Sequence, residues 1–532
     1  MRVFTFDTTL RDGTQGEAVS FSADDKLLIL HKLDELGIDY VEGGWPGSNP
    51  KDKEFFARAK DEPLKHTRLV AFGATRLARN RVEEDSSVNA LAAAGTPVVT
   101  IFGKSWDLHV QRALNISEAD NLQLITDTVK FLKSHGKEVI YDAEHFFDGY
   151  KANKDFALRT LEAAKSAGAD VLVLCDTNGG MITRQLAEVC ADVRTRFDGV
   201  LGIHTHNDSE LGVANALAAI EQGFAHVQGC MNGYGERCGN ANLTSIIANL
   251  ELKMGHTTIG KERLANLTAA ARFIAELANL PMRGDQPYVG HSAFAHKGGV
   301  HVSAVLKESA TYEHVNPKLV GNRQRVLLSD LSGRGSVLYK LKQHGLEDRL
   351  DDDARRELLD RMKQMEFQGY EIEAAEGTFE LLVREALHPG VQLFEVVSYE
   401  VTTKSNGSST ATVTLKAQDG VHSATAAGNG PVNALDVALR QALSALYPAI
   451  AGVRLTDYKV RVLDFKKGTA ARVRVLIEWS DHRRSWSTVG VSENVIEASW
   501  FAMVDALRLE LMRLGEQDSS IERAVEDYCW GV

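Results

Sequence analysis

Short blocks of apolar and β-branched residues run through the first half of the chain, separated by longer stretches whose apolar positions recur every three or four residues. From residue 1 to about 255 the two textures alternate at intervals of roughly 30 residues, the pattern of strand–helix units in a parallel sheet. The predicted strands are VFTFDTT, DYVEGGW, RLVAFGA, PVVTIFG, EVIYDAEH, DVLVLCDTN, LGIHTHN and HVQGCMNG; helices are expected over stretches such as Asp24 to Leu36, Glu118 to Ser134 and Phe156 to Ala167. Eight units over this length predict a closed (β/α)8 TIM barrel in an α/β fold, followed by other material.

Beyond about Ala278 the alternation stops. A polar, glycine-punctuated stretch, PMRGDQPYVGHSAFAHKGGVHVSAVLKES, precedes a charge-rich helical region, Glu347 to Met365, whose charges read as a solvated face. From Phe394 to about Leu514 alternating strands such as TATVTLKA and ARVRVLIEW are followed by helices. There SATAAGNGPVNALDVALRQAL and STVGVSENVIEASWFAMVDAL repeat one order of features: strand, small polar turn, acid and alanine at a helix start, Ala/Leu-rich helix. Two copies predict a C-terminal α+β domain of two pseudo-symmetric halves. The expected organisation is a barrel (1–275), linker subdomains (276–390), the duplicated domain (391–515), to which the resemblance given below assigns a regulatory role, and a tail (516–532).

Composition narrows the class without naming it. The chain of 532 residues is 44% hydrophobic and 25% charged, as in ordinary globular proteins, and holds no apolar run long enough for a membrane span. The start, MRVFTFDTTLRDG, reads as a strand rather than a signal peptide. Five cysteines without CxxC spacing predict neither a disulfide framework nor a structural zinc site, so the expected compartment is a reducing cytoplasm. A formal charge of -12 argues against nucleic acid as partner and favours small metabolites.

Candidate chemistry gathers at predicted strand ends, where a barrel of this kind places its active site. Within VLGIHTHNDSELG, His204 and His206 are spaced i, i+2 and share one face of a strand. Asp12, at the end of strand one, is a plausible third ligand, because strand one neighbours strand eight in a closed barrel. Two histidines and a carboxylate leave room for a bidentate substrate on a metal. Arg11 could stabilise an oxygen gaining negative charge, or close the barrel through an Arg–Asp salt bridge. Glu144, His145 and Asp176 to Asn178 end strands five and six. The loop NGYGERCGNANL is glycine-rich and could bring Gly235, Arg237 and Gly239 near an anionic group. Cys238 lacks an obvious base. His296 and His301, beyond the barrel, are candidates for a general acid or base reaching over its mouth, or surface residues.

Taken together, LRDGTQ with Lys26 after it, HTHND, GYGERCGN, the HKGGVH element and the duplicated C-terminal module resemble the 2-isopropylmalate, homocitrate and citramalate synthases, the Claisen-condensing branch of the DRE-TIM metallolyases. The resemblance covers nearly the whole chain. GGWPGSNPKDKEFF, HTHNDSELGVAN and AHKGGVHVSAVLK look most like the members that join acetyl-CoA to pyruvate, and Ser209 and Glu210 intervene where leucine-pathway relatives run HND directly into L-G. The resemblance implies Asp12, His204 and His206 as ligands of a divalent ion, Mg or Mn, with Asn240 as a further one. It implies Arg11 on the oxo group, Glu144 and His301 as an acid/base pair, Tyr312 beside them and Thr177 on the 2-oxo acid. Face alternation adds Phe72, Phe102 and Asp142 near the side chain of that acid. A homodimer and feedback by isoleucine on the C-terminal module are also implied, with GNGPVNALD and SENVIEAS as candidate carboxylate sites. The rival readings are 2-isopropylmalate synthesis from 2-oxoisovalerate, retro-aldol cleavage on the same barrel, and an amino-acid-binding protein without activity.

Overall fold

The computed structural model describes all residues except 327–340, 342–348, 392, 406, 418–419, 445, 482–483 and 518–532. Nearly all of the expected tail, Cys529 and the expected helix start at Glu347 lie outside the described residues. The chain forms two compact units, Met1–Phe294 with Glu313–Gln324, and Ala295–Tyr312 with Arg325–Val532.

Eight strands close the first unit in sequence order: β1 (Phe4–Asp7), β2 (Tyr40–Gly44), β3 (Arg68–Ala74), β4 (Val98–Lys104), β5 (Glu138–Glu144), β6 (Val171–Asp176), β7 (Val200–Thr205) and β8 (His226–Gly229). All pair in parallel, and β1 closes on β8 with Phe4 opposite His226 and Asp7 opposite Gly229. Asp12 and the β7 histidines are therefore separated by a single strand, as the barrel reading requires.

Local sequence sets the helices between them. The helix Ala23–Leu36 opens on a capping box: Ser22 Oγ accepts from Asp25 N at 3.1 Å, and Asp25 Oδ2 accepts from Ser22 N at 2.8 Å. It ends at Gly37, whose φ of 85° is open to glycine at little cost. Leu27, Leu30 and Leu33, at helical spacing, bury against the outer face of the sheet, each worth roughly 1.5–3 kcal/mol. Lys26 of the same helix is also buried, its Nζ donating to Gly43 O at 2.9 Å and Asp52 Oδ1 at 2.6 Å. It thus fixes the end of β2 rather than reaching a substrate.

Inside the barrel the strand alternation sorts two layers. Phe6, Tyr40, Val70, Val98, Ile140, Val171 and Val173 form an apolar plug, separate from the outer core. Nearer the C-terminal ends the inward positions become polar, with Glu42, Asp142, His204 and Gln228 all buried. The plug makes a dry floor and the polar layer a reactive ceiling.

In the second unit, β9 (Ala295–His296) pairs in parallel with β10 (Arg325–Val326). Helices Asp352–Phe367 and Glu376–Leu387 share a small core around Leu358, Leu359 and Phe379. Two antiparallel three-stranded sheets follow, β11 (Glu395–Thr403), β12 (Ser409–Ala417) and β13 (Gly420–Gly428), then β14 (Arg454–Val462), β15 (Val473–Ser480) and β16 (Ser485–Ser492). Each leads into a helix, Pro431–Ser444 or Val495–Gln517. The sequence echo has a physical basis here: Ala434, Ala438 and Ala442 in one copy and Ala498, Ala502 and Ala506 in the other are all buried. At i, i+4 spacing they form one small-residue stripe that lets each helix lie close on its sheet. The fold is thus the expected TIM barrel followed by a duplicated α+β regulatory domain.

Candidate active site

A cavity of about 270 Å³ opens at the C-terminal ends of the barrel strands. Arg11, Asp12, Phe72, Phe102, Asp142, Glu144, Thr177, His204, His206 and Arg237, ten of the residues singled out in the sequence, line it.

Asp12, His204 and His206, all buried, form its floor. His204 Nε2 lies 3.3 Å from His206 Nε2 and 3.5 Å from Asp12 Oδ2, and His206 Nε2 lies 4.0 Å from the same oxygen. Donors bound at about 2.1 Å to one octahedral ion stand about 3 Å apart at right angles. The three atoms lie close enough together to share one small cation, with the His206–Asp12 pair the widest. Burial pushes His204 below its ordinary range, and burial with the neighbouring His204 pushes His206 down to about 4. Both imidazoles are then neutral near pH 7, the form that binds a cation. Burial alone would raise the Asp12 carboxyl, but Arg11 and the two histidines outweigh it and hold it below its ordinary value. Asn240 adds a fourth group: its Nδ2 donates to Tyr234 O at 3.2 Å, while its Oδ1 is buried without a protein partner. The donor set of Asp12, His204 and His206 fits a divalent ion.

Arg11 is fixed from two sides. Its Nε donates to Glu42 Oε2 at 2.5 Å, and its guanidinium lies 3.7 Å from the centroid of the Phe72 ring. Nη1 also lies 3.4 Å from Asp12 Oδ2, so the simple Arg–Asp bridge exists but is the longer contact. Burial pushes Glu42 up to about 7 against the pull of Arg11. Burial, with Glu42 adding to it, pushes Asp142 well above the carboxylate range.

One wall is aromatic. Phe72 and Phe102 stack with ring centroids 5.4 Å apart, and the Trp45 indole meets each edge-on at 5.9 Å. Beside it, Glu144 ends β5 and is paired with Lys104 from the end of β4, whose Nζ lies 5.3 Å from the centroid of the Phe102 ring. The Thr177 hydroxyl accepts from His145 N at 2.9 Å, which joins the ends of β5 and β6.

The glycine-rich loop is built more tightly than flexibility would require. Arg237 grips Asp208 with Nε and Nη2, at 2.8 and 3.0 Å, and Nη2 also donates to Thr177 O at 2.8 Å. Gly235 and Gly239 have φ of 147° and 86°, and a Cβ there would lie 2.2 Å from Asn240 Nδ2 and 2.0 Å from Gly233 O. These glycines allow the turn that delivers Asn240. His301 and Tyr312 belong to the second unit, where their rings stack with centroids 4.2 Å apart.

Glu42, Trp45, Lys104 and Gln228 are among the residues of this region that the sequence reading passed over. The alternation that nominated Phe72, Phe102 and Asp142 also turns Glu42 and Gln228 inward, and Lys104 closes its strand with a charge. Nothing in the sequence tied them to their partners.

Fold and site define a TIM-barrel protein whose cavity floor carries a donor set fit for a cation. Residues 2–272 match the HMGL-like family, 288–369 the homocitrate synthase post-HMGL domain and 373–510 the LeuA allosteric (dimerisation) domain. The chain is 51% identical to the (R)-citramalate synthase of Aquifex aeolicus, over 97% of this chain and 99% of that one. It is equally 51% identical to that of Geobacter sulfurreducens, over 97% and 98%. The 2-isopropylmalate synthase of Methanocaldococcus jannaschii stands further off, at 29% over 95% and 94%. The chain belongs to the citramalate synthase family.

Proposed function

We propose that the protein condenses acetyl-CoA with pyruvate and water to give citramalate and CoA, as an early step toward isoleucine. The observation that carries this reading is the aromatic wall: Phe72, Phe102 and Trp45 crowd the cavity beside Arg11 and favour a methyl group over a branched side chain. The larger distance to the isopropylmalate synthases supports the same choice.

Asp12, His204, His206 and Asn240 would hold the divalent ion, Mg or Mn, which when bound supplies Lewis acidity for a 2-oxo acid. Arg11, kept rigid by Glu42 and Phe72, presents its guanidinium to the ketone oxygen as that oxygen becomes an alkoxide. Thr177 orients the 2-oxo acid. Phe72 and Phe102 enclose its methyl group, and Asp142 flanks it. Glu144, paired with Lys104, and His301 with Tyr312 are the acid/base pair for the acetyl methyl proton, on the strength of the likeness carried by HKGGVH and TYEHVNP. The enolate carbon bonds to the ketone carbon, the alkoxide takes a proton, and water then cleaves the thioester to release CoA. Gly235, Arg237 and Gly239 shape the side from which the thioester enters.

The LeuA-type domain supports a homodimer and feedback inhibition, with isoleucine as effector and the turns GNGPVNALD and SENVIEAS as its carboxylate sites. No described helix is long and apolar enough to cross a membrane, which agrees with a cytoplasmic enzyme. Identification of the product from methyl-labelled acetyl-CoA and pyruvate by carbon NMR tests the reaction. Label in the methylene carbon of citramalate is expected; label returning only in acetate would refute it.

A further inference from the structure

His204 meets two partners through its two ring nitrogens. Nδ1 lies 2.9 Å from Gln228 Oε1, and Gln228 Nε2 in turn donates to Asp142 Oδ1 at 3.0 Å. All three side chains are buried, Gln228 completely. Within such a chain the choice of donors is constrained. The amide nitrogen faces Asp142 and the amide oxygen faces His204. An amide oxygen only accepts, so Nδ1 must carry the ring proton. Nε2 is then left with its lone pair, directed to where His206 Nε2 and Asp12 Oδ2 converge. His206 has no such support, since its Nδ1 is buried without a protein partner.

We propose that Gln228, itself held by Asp142, is a positioning residue that fixes the tautomer and ring plane of His204 and thereby sets the affinity of the site for its divalent ion. The proposal rests on the metal reading above. It adds that one amide ties a ligand of the ion to Asp142 in the cavity wall. Losing the partner of a ligating imidazole commonly weakens metal binding by about 10–100-fold.

The test is Mn2+ binding to the full-length protein, read from the free-ion electron paramagnetic resonance signal, with wild type, Gln228→Met, Gln228→Glu and Gln228→Asn. Gln228→Met should weaken binding by about 10–100-fold. Gln228→Glu keeps an oxygen for Nδ1 and should stay near wild type, and this rescue separates positioning from packing. Gln228→Asn keeps the amide but is one methylene too short to span both partners; it should lose affinity, and it carries the test if the Met variant does not fold. In metal-free, 15N-histidine-labelled protein, the His204 resonances, assigned with His204→Ala, should report the Nδ1–H tautomer in wild type and its loss in Gln228→Met. Wild-type affinity in Gln228→Met, or an unchanged tautomer, overturns the proposal. A wild-type protein that binds no Mn2+ but shows the Nδ1–H tautomer overturns the metal reading instead, and with it the affinity role of Gln228.

Discussion

Removing the Phe102 ring tests substrate choice where the geometry is most explicit. Phe102 stacks on Phe72 at 5.4 Å and takes the edge of Trp45 at 5.9 Å, whereas Arg11 rests on Phe72 alone. Phe102→Ala therefore opens the wall while leaving the Arg11 platform in place. A methylene too many in a close apolar pocket costs about 1–3 kcal/mol, or about 10–200-fold in kcat/KM. Relief of that penalty should lower the pyruvate to 2-oxobutyrate ratio of kcat/KM by at least about tenfold. The stability cost should fall near the lower end for Phe→Ala, about 3 kcal/mol, because Phe102 is only half-buried. The assay is CoA thiol release at subsaturating 2-oxo acid, with the denaturation midpoint as control. A folded variant with an unchanged ratio would show that Phe102 does not bound the oxo-acid side chain.

His204→Ala should abolish metal-dependent turnover and Mn2+ binding together; full activity in that variant would sink the ligand assignment. The buried Glu380–Arg513 pair joins helix Glu376–Leu387 to helix Val495–Gln517 with Arg513 Nε 2.9 Å from Glu380 Oε1, and Arg384 Nη2, 2.8 Å from the same oxygen, is a second partner of that carboxylate. Arg513→Ala leaves Glu380 paired with Arg384 and should destabilise the second unit by about 1.5–3 kcal/mol in a denaturant titration, the worth of a hydrogen bond to a charged group. His226, whose two ring nitrogens are buried without partners above Phe6 and Tyr40, is pushed down to about 3 by burial. Its folded pKa lies below the unfolded value of about 6.5, so the unfolded chain takes up the extra proton and stability falls as pH drops from there toward 3. His226→Leu should remove about 1.4 kcal/mol per pH unit of that acid sensitivity; equal pH slopes for both proteins would contradict a neutral, buried His226.

The barrel was legible because its strands are short and its helices carry the 3.6-residue period; the helix Glu118–Ser134 falls at its expected bounds. Asp12, His204 and His206 were legible for a related reason, since barrel closure and strand alternation together bring those positions to one point. Gln228 and Glu42 were not, because their importance lies in which buried atoms they meet across strands, and a period of two gives the face but not the partner. Arg237 was legible only as part of a loop near the site; it lines the cavity, and its hold on Asp208 and Thr177 O could not be read from the sequence. The C-terminal echo showed as alanine spacing, because only small residues let a helix lie that close to a sheet.

CoA thiol release from acetyl-CoA, measured across pyruvate, 2-oxobutyrate, 2-oxoisovalerate and 2-oxoglutarate with Mg2+ or Mn2+ and again with chelator, tests the central claim most directly. The account predicts release that is strongest with pyruvate and lost with chelator. Preference for 2-oxoisovalerate, or release indifferent to chelator, would contradict it.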